Sequence, residues 1–267
     1  MIIHDSTDND LLYPSGFGRG YVERDYDEYP EEMYAPPSES ELIPESEWDA
    51  RYEEQEAEES SLEHLYLRGG KPAFVNLDQG SEGFCWGYSV GHTTLFDRLS
   101  SNQPHVRINP HAVCSIIKNG KNEGGWCGLS QELYKSMGCP IEGTGPGQWP
   151  LHSRDLRYDT PQMREQAKLH CCVEDWVDLT RRVYDRNLTI RQLATYLLSN
   201  RPCAVDFNWW GHSVCAIRWV RIERGSWGPL IINSWRGWGR HGLAQLSGQK
   251  GVPNGAVCIR STTASAA

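Results

Sequence analysis

The stretch Asp78-Gln79-Gly80-Ser81-Glu82-Gly83-Phe84-Cys85-Trp86-Gly87-Tyr88-Ser89 sets a thiol where a glycine-rich loop turns into a helix. The unpaired N–H groups of a helix N-terminus favour negative charge, so a cysteine there is drawn toward its nucleophilic thiolate. Such a thiol needs a base, and the base needs a group that orients it. Two downstream segments supply candidates. His212 lies in Trp210-Gly211-His212-Ser213-Val214 at the start of an apolar strand pattern, and Asn233 lies in Ile231-Ile232-Asn233-Ser234-Trp235 at the end of another. An asparagine oxygen can accept from one imidazole nitrogen and leave the other facing sulfur, while a neighbouring tryptophan excludes water. Gln79, six residues before Cys85, can donate its amide to an oxyanion, with the Cys85 N–H as second donor.

Outward from this stretch, the pattern is helical first and β later. Gly87 and Gly91 among Val90, Leu95, Phe96 and Leu99 describe a buried central helix over residues 85–99, approached closely by another backbone. Asn109-Pro110 opens a second helix and Asn119-Gly120 ends it. A shorter one runs from Ser130 to Gly138. Thr160-Pro161 opens another, and Thr189-x-x-Gln192 opens a last one with a capping box. Beyond residue 200, Cys203–Asn208, Ser213–Arg221, Leu230–Asn233, Gly242–Leu246 and Ala256–Arg260 are short, apolar and separated by Gly, Pro or Trp clusters, which predicts strands. The order predicts an α+β chain in two lobes, without βαβ alternation. There is no Walker loop, dinucleotide fingerprint or internal repeat.

Charge divides the chain. Residues 1–64 hold 20 of the 35 acids and 3 of the 26 bases, so the remainder is net basic. Tyr26, Tyr29 and Tyr34 alternate with acids and with Pro30, Pro36 and Pro37, a composition too poor in apolar surface to form a core of its own. Residues 1–42 are therefore expected to be an extended acidic arm, either a solvated, disordered tail or a segment that docks on a basic surface, its own body's or a partner's. Over the cleft it inhibits; elsewhere it tethers an assembly, and its short length favours the tether. No run approaches the roughly 18 apolar residues of a membrane span, and the first residues lack a secretory signal's basic start and apolar core. Nine cysteines in a chain of 267 residues predict mostly reduced thiols, and Cys114, Cys215 and Cys258 are expected to be core residues. Neighbours in a strand point to opposite faces and no second cysteine pair accompanies His170-Cys171-Cys172, so no metal or other cofactor is expected. Neither nucleic acid nor membrane is expected as a partner.

Taken together, these motifs resemble those of the papain-like cysteine peptidases. His212 follows Cys85 by 127 positions and Asn233 by 148, near that family's spacing. Asn233-Ser234-Trp235, Gly237-Trp238-Gly239 and Gly242-Leu243 continue the likeness, and Ile43-Pro44-Glu45-Ser46-x-Trp48-Asp49-Ala50-Arg51 resembles the start of a mature enzyme. The resemblance covers residues 43 to about 260 and implies a helical lobe (about 72–157) and an antiparallel, barrel-like β lobe (about 158–267 plus 43–71) with the cleft between them. It implies Cys85 as nucleophile, His212 as base, Asn233 as orienting group and Gln79 as oxyanion donor. It also implies substrate contacts at Gly124, Gly125, Trp86, Trp235 and Gly211. A thiolate–imidazolium pair would make Cys85 the fastest-reacting cysteine at mildly acidic pH.

The departures are specific. Glu82 and Asn122 stand where the family has a disulfide, Phe84 replaces the usual small residue just before the nucleophile and is expected to narrow the cleft or alter its mouth, and the link between Asp206 and His212 is short, leaving one side more open. The 41 residues before Leu42 are fewer than the usual prosegment and lack its helical motif. Three functions follow: a peptidase or related acyl-transfer enzyme acting on polypeptide; a papain-fold assembly module, such as a virion or scaffold component, with its site idle or used once; and an inhibitor-like pseudoenzyme, weakened because every catalytic position is filled. The first is favoured, in a cytoplasmic or virion-associated setting.

Overall fold

In the computed structural model of the chain, the described residues are 1–13, 15–31, 36–171, 173–222 and 225–262. Seven helices longer than a single 3-10 turn run in chain order among them: α1 (Trp48–Ala57), α2 (Leu62–Tyr66), α3 (Cys85–Ser100), α4 (Pro110–Ile117), α5 (Cys127–Ser136), α6 (Pro161–Cys171) and α7 (Arg186–Leu198). The strands are β1 (Ile2–Ile3), β2 (Val173–Asp178), β3 (Cys203–Phe207), β4 (His212–Arg221), β5 (Trp227–Ile232), β6 (Leu243–Leu246) and β7 (Gly255–Thr262). They form one sheet in the order β1-β6-β5-β4-β3-β7-β2, antiparallel throughout except that β1 lies parallel to β6. The architecture is α+β. The expected barrel is corrected to an open sheet whose two edges are β1 and β2.

Strand alternation explains how both faces of that sheet are covered. Ala204, Cys215, Ile217, Ile232, Val257 and Ile259 pack with Val90, Phe96, Val113 and Tyr134 of α3, α4 and α5. Their chain neighbours Cys203, Val205, Val214, Ala216, Ile231 and Ala256 pack on the other side with Leu193 and Leu197 of α7, Trp48 of α1, and Ile3 and Leu12 of the arm. Successive strand residues thus serve two cores.

Local chemistry sets most boundaries. The Asn109 side chain accepts from the His111 N–H and caps α4, and Asn119 and Gly120 end it with φ of 50° and 76°. α5 begins three residues before the expected Ser130 and stops ahead of Gly138, whose φ is 80°. The capping box at Thr189 is corrected: Asp185 caps α7 through the Leu188 N–H, and the Thr189 hydroxyl donates back to the Asp185 carbonyl from inside the first turn. Cys258 is buried in the core as expected, yet disulfide-bonded to Cys203, its cross-strand partner between β3 and β7. The free thiols among the described cysteines, Cys85, Cys114, Cys127, Cys139 and Cys215, are all buried. The side chains of His170, Cys171 and Cys172 lie outside the described residues, and among those described no group of three could hold a metal ion. No described helix is long and apolar enough to cross a membrane.

Every residue of α3 from Cys85 to Arg98 is buried. That is possible only because α4 can lie against it. A Cβ built on Gly87 meets the Cys114 sulfur at 2.2 Å, and one on Gly91 meets Pro110 at 2.5 Å. Gly87→Ala is therefore expected to destabilise the chain by about 1–3 kcal/mol, the range for an overpacked core. Cys114→Ala in the same chain should recover most of the loss, as read from a denaturant double-mutant cycle.

Candidate active site

Cys85 is the first residue of α3, and its side chain is wholly buried. The backbone N–H groups of Ser213, at the start of β4, and of Gly20, in the arm, act on its thiol to lower the pKa. Burial outweighs both bonds and pushes the thiol up to about 11. His212 precedes Ser213 and is held by a 2.9 Å bond between its Nε2 and Asn233 Oδ1. With Nε2–H donating to Asn233, Nδ1 keeps its lone pair, and it has no hydrogen-bond partner among the described residues. The imidazole stacks on Trp235 at 4.2 Å and meets the edge of Trp210 at 5.0 Å. Burial lowers its pKa from 6.5 to about 3, against the opposing Asn233 bond. Against the expected thiolate–imidazolium pair, desolvation in this enclosed site penalises both charged forms.

Gln79 is tied to the segment that carries Asn233. Its N–H donates to the Ser234 carbonyl at 3.0 Å, and its Oε1 accepts from Ser234 Oγ at 2.6 Å. The amide is thereby turned with Nε2 toward the arm, where it donates to the Gly18 carbonyl at 2.9 Å and to Glu82 O at the same distance. Trp235 Nε1 donates to the same Gly18 carbonyl at 3.2 Å. Gly124 and Gly125 line the track of the arm: a Cβ on Gly124 meets the Gly20 carbonyl at 2.5 Å, and one on Gly125 meets the Trp86 ring at 2.8 Å. Gly125 donates to Gly20 O at 2.8 Å and accepts from Val22 N at 2.9 Å, while Gly211 O accepts from Tyr21 N at 3.2 Å. Of the nine residues singled out in the sequence, Gln79, Gly125, Gly211 and Trp235 bond the arm and Gly124 lies against it, while His212 stacks on Trp235 and bonds Asn233, and Trp86, wholly buried, backs Gly125.

What fills the groove is the arm. The tether expectation placed it elsewhere, yet residues 17–22 run through the cleft from Phe17, stacked on Trp235 at 5.7 Å, to the pairing with Gly125. The side expected to be open is covered by this segment. The expected charge attraction is present, with Asp27 on Arg182 at 3.0 Å and Glu39 on Arg191 at 3.3 Å. The sequence reading missed Gly18 and Gly20. The run Gly16-Phe17-Gly18-Arg19-Gly20 was the available signal, and its meaning is steric. A Cβ on Gly18 or Gly20 would meet the carbonyl of Glu82 at 2.0 Å or of Gly83 at 1.8 Å. It also missed Asp206, a buried acid that accepts from Ser213 Oγ, from Cys127 Sγ at 3.0 Å and from Cys127 N at 3.2 Å. Burial raises its pKa to about 6.

Two other departures have structural counterparts. Asn122 Oδ1 accepts from Gly83 N at 2.8 Å, so a hydrogen bond stands where the disulfide is missing. Phe84 does not narrow the cleft mouth: it is wholly buried, 4.8 Å from His111 and 6.3 Å from Trp86.

Buried imidazoles make the fold acid-sensitive. Burial holds His92, His111 and His212 at about 3 against 6.5 in the unfolded chain. Between these values the unfolded chain binds protons that the native state refuses, so stability falls as pH drops below 6.5, by about 1.4 kcal/mol per pH unit for each histidine once protonation of the unfolded chain is complete. Asp206, raised from 3.8 to about 6, and Asp97 and Asp178, also raised by burial, work the opposite way, while His105, lowered by burial, adds to the three rings. Denaturant midpoints measured from pH 7 to pH 5 should fall, and a flat profile would show that these rings are solvated.

The overall chain is similar in structure to several solved proteins. Xylellain, a cysteine protease from Xylella fastidiosa, superposes with a TM-score of 0.57 at 14% identity over 92% of this chain and 97% of that one. The recombinant stem bromelain precursor gives 0.56 at 11% identity over 94% and 79%. The cysteine protease and lectin-like domains of Cwp84 from Clostridium difficile give 0.56 at 13% identity over 92% and 56%. No protein-family model matches the sequence, and no curated protein matches it. A glycine-rich loop feeding a buried helix, a sheet that presents His212 and Asn233 at its strand ends, and these superpositions agree on one architecture: the chain has the fold of the papain-like cysteine proteases.

Proposed function

We propose that this chain is a cysteine peptidase held latent by its own N-terminal arm. The observation that carries the reading is a pair of backbone contacts: Gln79 Nε2 holds the Gly18 carbonyl while Gly125 N donates to the Gly20 carbonyl, which brings the Gly20 N–H to the Cys85 thiol. The groove already grips an extended polypeptide by its backbone, and an oxyanion donor already holds a peptide carbonyl. The arm escapes cleavage in this pose because Gly20 offers the sulfur an N–H, where attack requires a carbonyl carbon.

With the arm out of the way, water and substrate reach the pair and the desolvation that keeps it neutral is relieved. His212 Nδ1 takes the Cys85 proton, and the thiolate attacks the scissile carbonyl carbon, forming a C–S bond as negative charge moves onto oxygen. Gln79 Nε2 and the Cys85 N–H stabilise that oxygen. The imidazolium returns the proton to the leaving amine as the C–N bond breaks, and water then hydrolyses the thioester through the same base. Asn233 orients the ring and transfers no proton.

Gly20→Val in the full chain tests the latency, because a side chain there collides with the Gly83 carbonyl. Alkylation of Cys85 and hydrolysis of an unstructured protein should both rise at least about tenfold, the span of one pKa unit's worth of thiolate. In that background Cys85→Ala and His212→Ala should each abolish turnover and add little when combined. Gln79→Ala should cost about 10²–10³ in kcat, and Asn233→Ala less. A Gly20→Val chain that alkylates faster yet hydrolyses nothing would favour the assembly-module alternative.

A further inference from the structure

The arm carries only two basic residues before Leu42, Arg19 and Arg24, and Arg24 is 4% exposed. Its guanidinium is 2.5 Å from Asp178 Oδ2, with both side chains sealed from solvent. It also lies on the Trp126 ring, 4.7 Å from its centroid. The other Asp178 oxygen accepts from Thr180 N at 2.8 Å, which fixes the carboxylate so that Oδ2 faces the ligand. Asp206, on β3 across β7 from Asp178, adds a second buried acid whose charge acts on it. The remaining bonds come from the arm itself: Arg24 Nε donates to Tyr29 O at 2.7 Å, Nη2 donates to Pro30 O, and the Tyr26 ring closes over the guanidinium at 4.8 Å.

The body's contribution is therefore an aspartate and a tryptophan face, a combination suited to a planar guanidinium better than to an ammonium. Trp126 directly follows Gly125, the residue whose backbone pairs with Tyr21 and Val22. A peptide that pairs with Gly125 must pass this wall. Once the arm leaves, Asp178 is a buried carboxylate without its counter-ion, a state that favours capture of another cation.

We propose that Asp178 and Trp126 form an arginine-selective subsite of the cleft, occupied in the latent chain by Arg24, and that peptides taken by the open cleft place an arginine side chain there. This rests on the peptidase reading for its use in turnover, though not for its binding chemistry. The test employs the full chain carrying Gly20→Val and Arg24→Ala, with blocked alanine-based peptides bearing one arginine or one citrulline, its neutral isostere, at each of four successive positions. Both hydrolysis and equilibrium binding, followed by calorimetry, are measured. At one position arginine should exceed citrulline at least about tenfold, the factor a single charge-assisted bond supplies. Asp178→Asn, which keeps an oxygen for the Thr180 N–H, should erase that difference, and Trp126→Leu should reduce it. Equal binding of the two series at every position, or a preference that survives Asp178→Asn, would overturn the subsite. Arginine-selective binding without hydrolysis would uphold the subsite and sink the peptidase reading. Hydrolysis without selectivity would do the reverse, and neither binding nor hydrolysis would count against both.

Discussion

The burial of α3 is the constraint on which the rest depends. Its residues from Cys85 to Arg98 are all removed from solvent, sandwiched between α4 and α5 on one side and the sheet on the other. Gly87 and Gly91 permit that packing because no side chain separates α3 from α4. A helix fixed this firmly has a fixed first residue, and the N-terminus of α3 packs against β4, where Ser213 acts on the Cys85 thiol. The position of the thiol relative to His212 is thus set by the core and not by the loop that precedes it. The glycines of that loop make room for the arm above.

Enclosure then decides the electrostatics. Unsatisfied amides at a helix end stabilise a thiolate by an amount typical of partly exposed groups, about 0.3–1 kcal/mol. Removing the thiol and the imidazole from water costs several times more per charge. The same groove can therefore hold an inert neutral pair when covered and a reactive one when open, with no change in its residues. Covering it requires a segment thin enough to lie against the Glu82 and Gly83 carbonyls, which Gly18 and Gly20 provide. It also requires anchors on either side. These are Ile2 and Ile3 paired with β6, Leu12 in the core, and Arg24 on Asp178. Surface pairs such as Asp27 with Arg182 add little at physiological salt.

The arm also completes the fold that it covers. Ile3 and Leu12 are buried with Trp48, Leu197 and Ala244, and β1 pairs with an otherwise open edge at β6. Lys250 donates to Asp5 through its N–H at 3.1 Å and to the Thr7 carbonyl through Nζ at 2.5 Å. The first dozen residues serve stability, and the stretch from Phe17 to Arg24 serves occupancy of the groove. This division explains how an acidic sequence poor in apolar residues is nevertheless ordered: its few apolar side chains are placed where the sheet face needs them.

Much of this was legible from local chemistry. Asn109-Pro110 and Asn119-Gly120 bounded α4, short apolar runs between Gly, Pro and Trp clusters located the five late strands, and Gln79, Cys85, His212 and Asn233 were singled out by motifs that each carry a backbone requirement. Boundaries governed by competition between caps were misplaced, as at α7, where Asp185 lies one turn ahead of Thr189 and its carboxylate is the better acceptor for the free N–H groups. Strand β2 escaped notice because Glu174 and Asp175 interrupt its apolar run, and the pairing of Cys203 with Cys258 depends on a register that spacing does not encode. The protonation states of Cys85, His212 and Asp206 were beyond any linear reading, since they follow from burial by residues distant in the chain. So was the destination of the arm. From charge and composition alone, residues 1–42 could form no core of their own and would be attracted to a basic body. Only the tertiary structure put Gly18 on Gln79 and Arg24 on Asp178, because those contacts join residues 61 and 154 positions apart, brought together only once the sheet, α3 and α5 have packed.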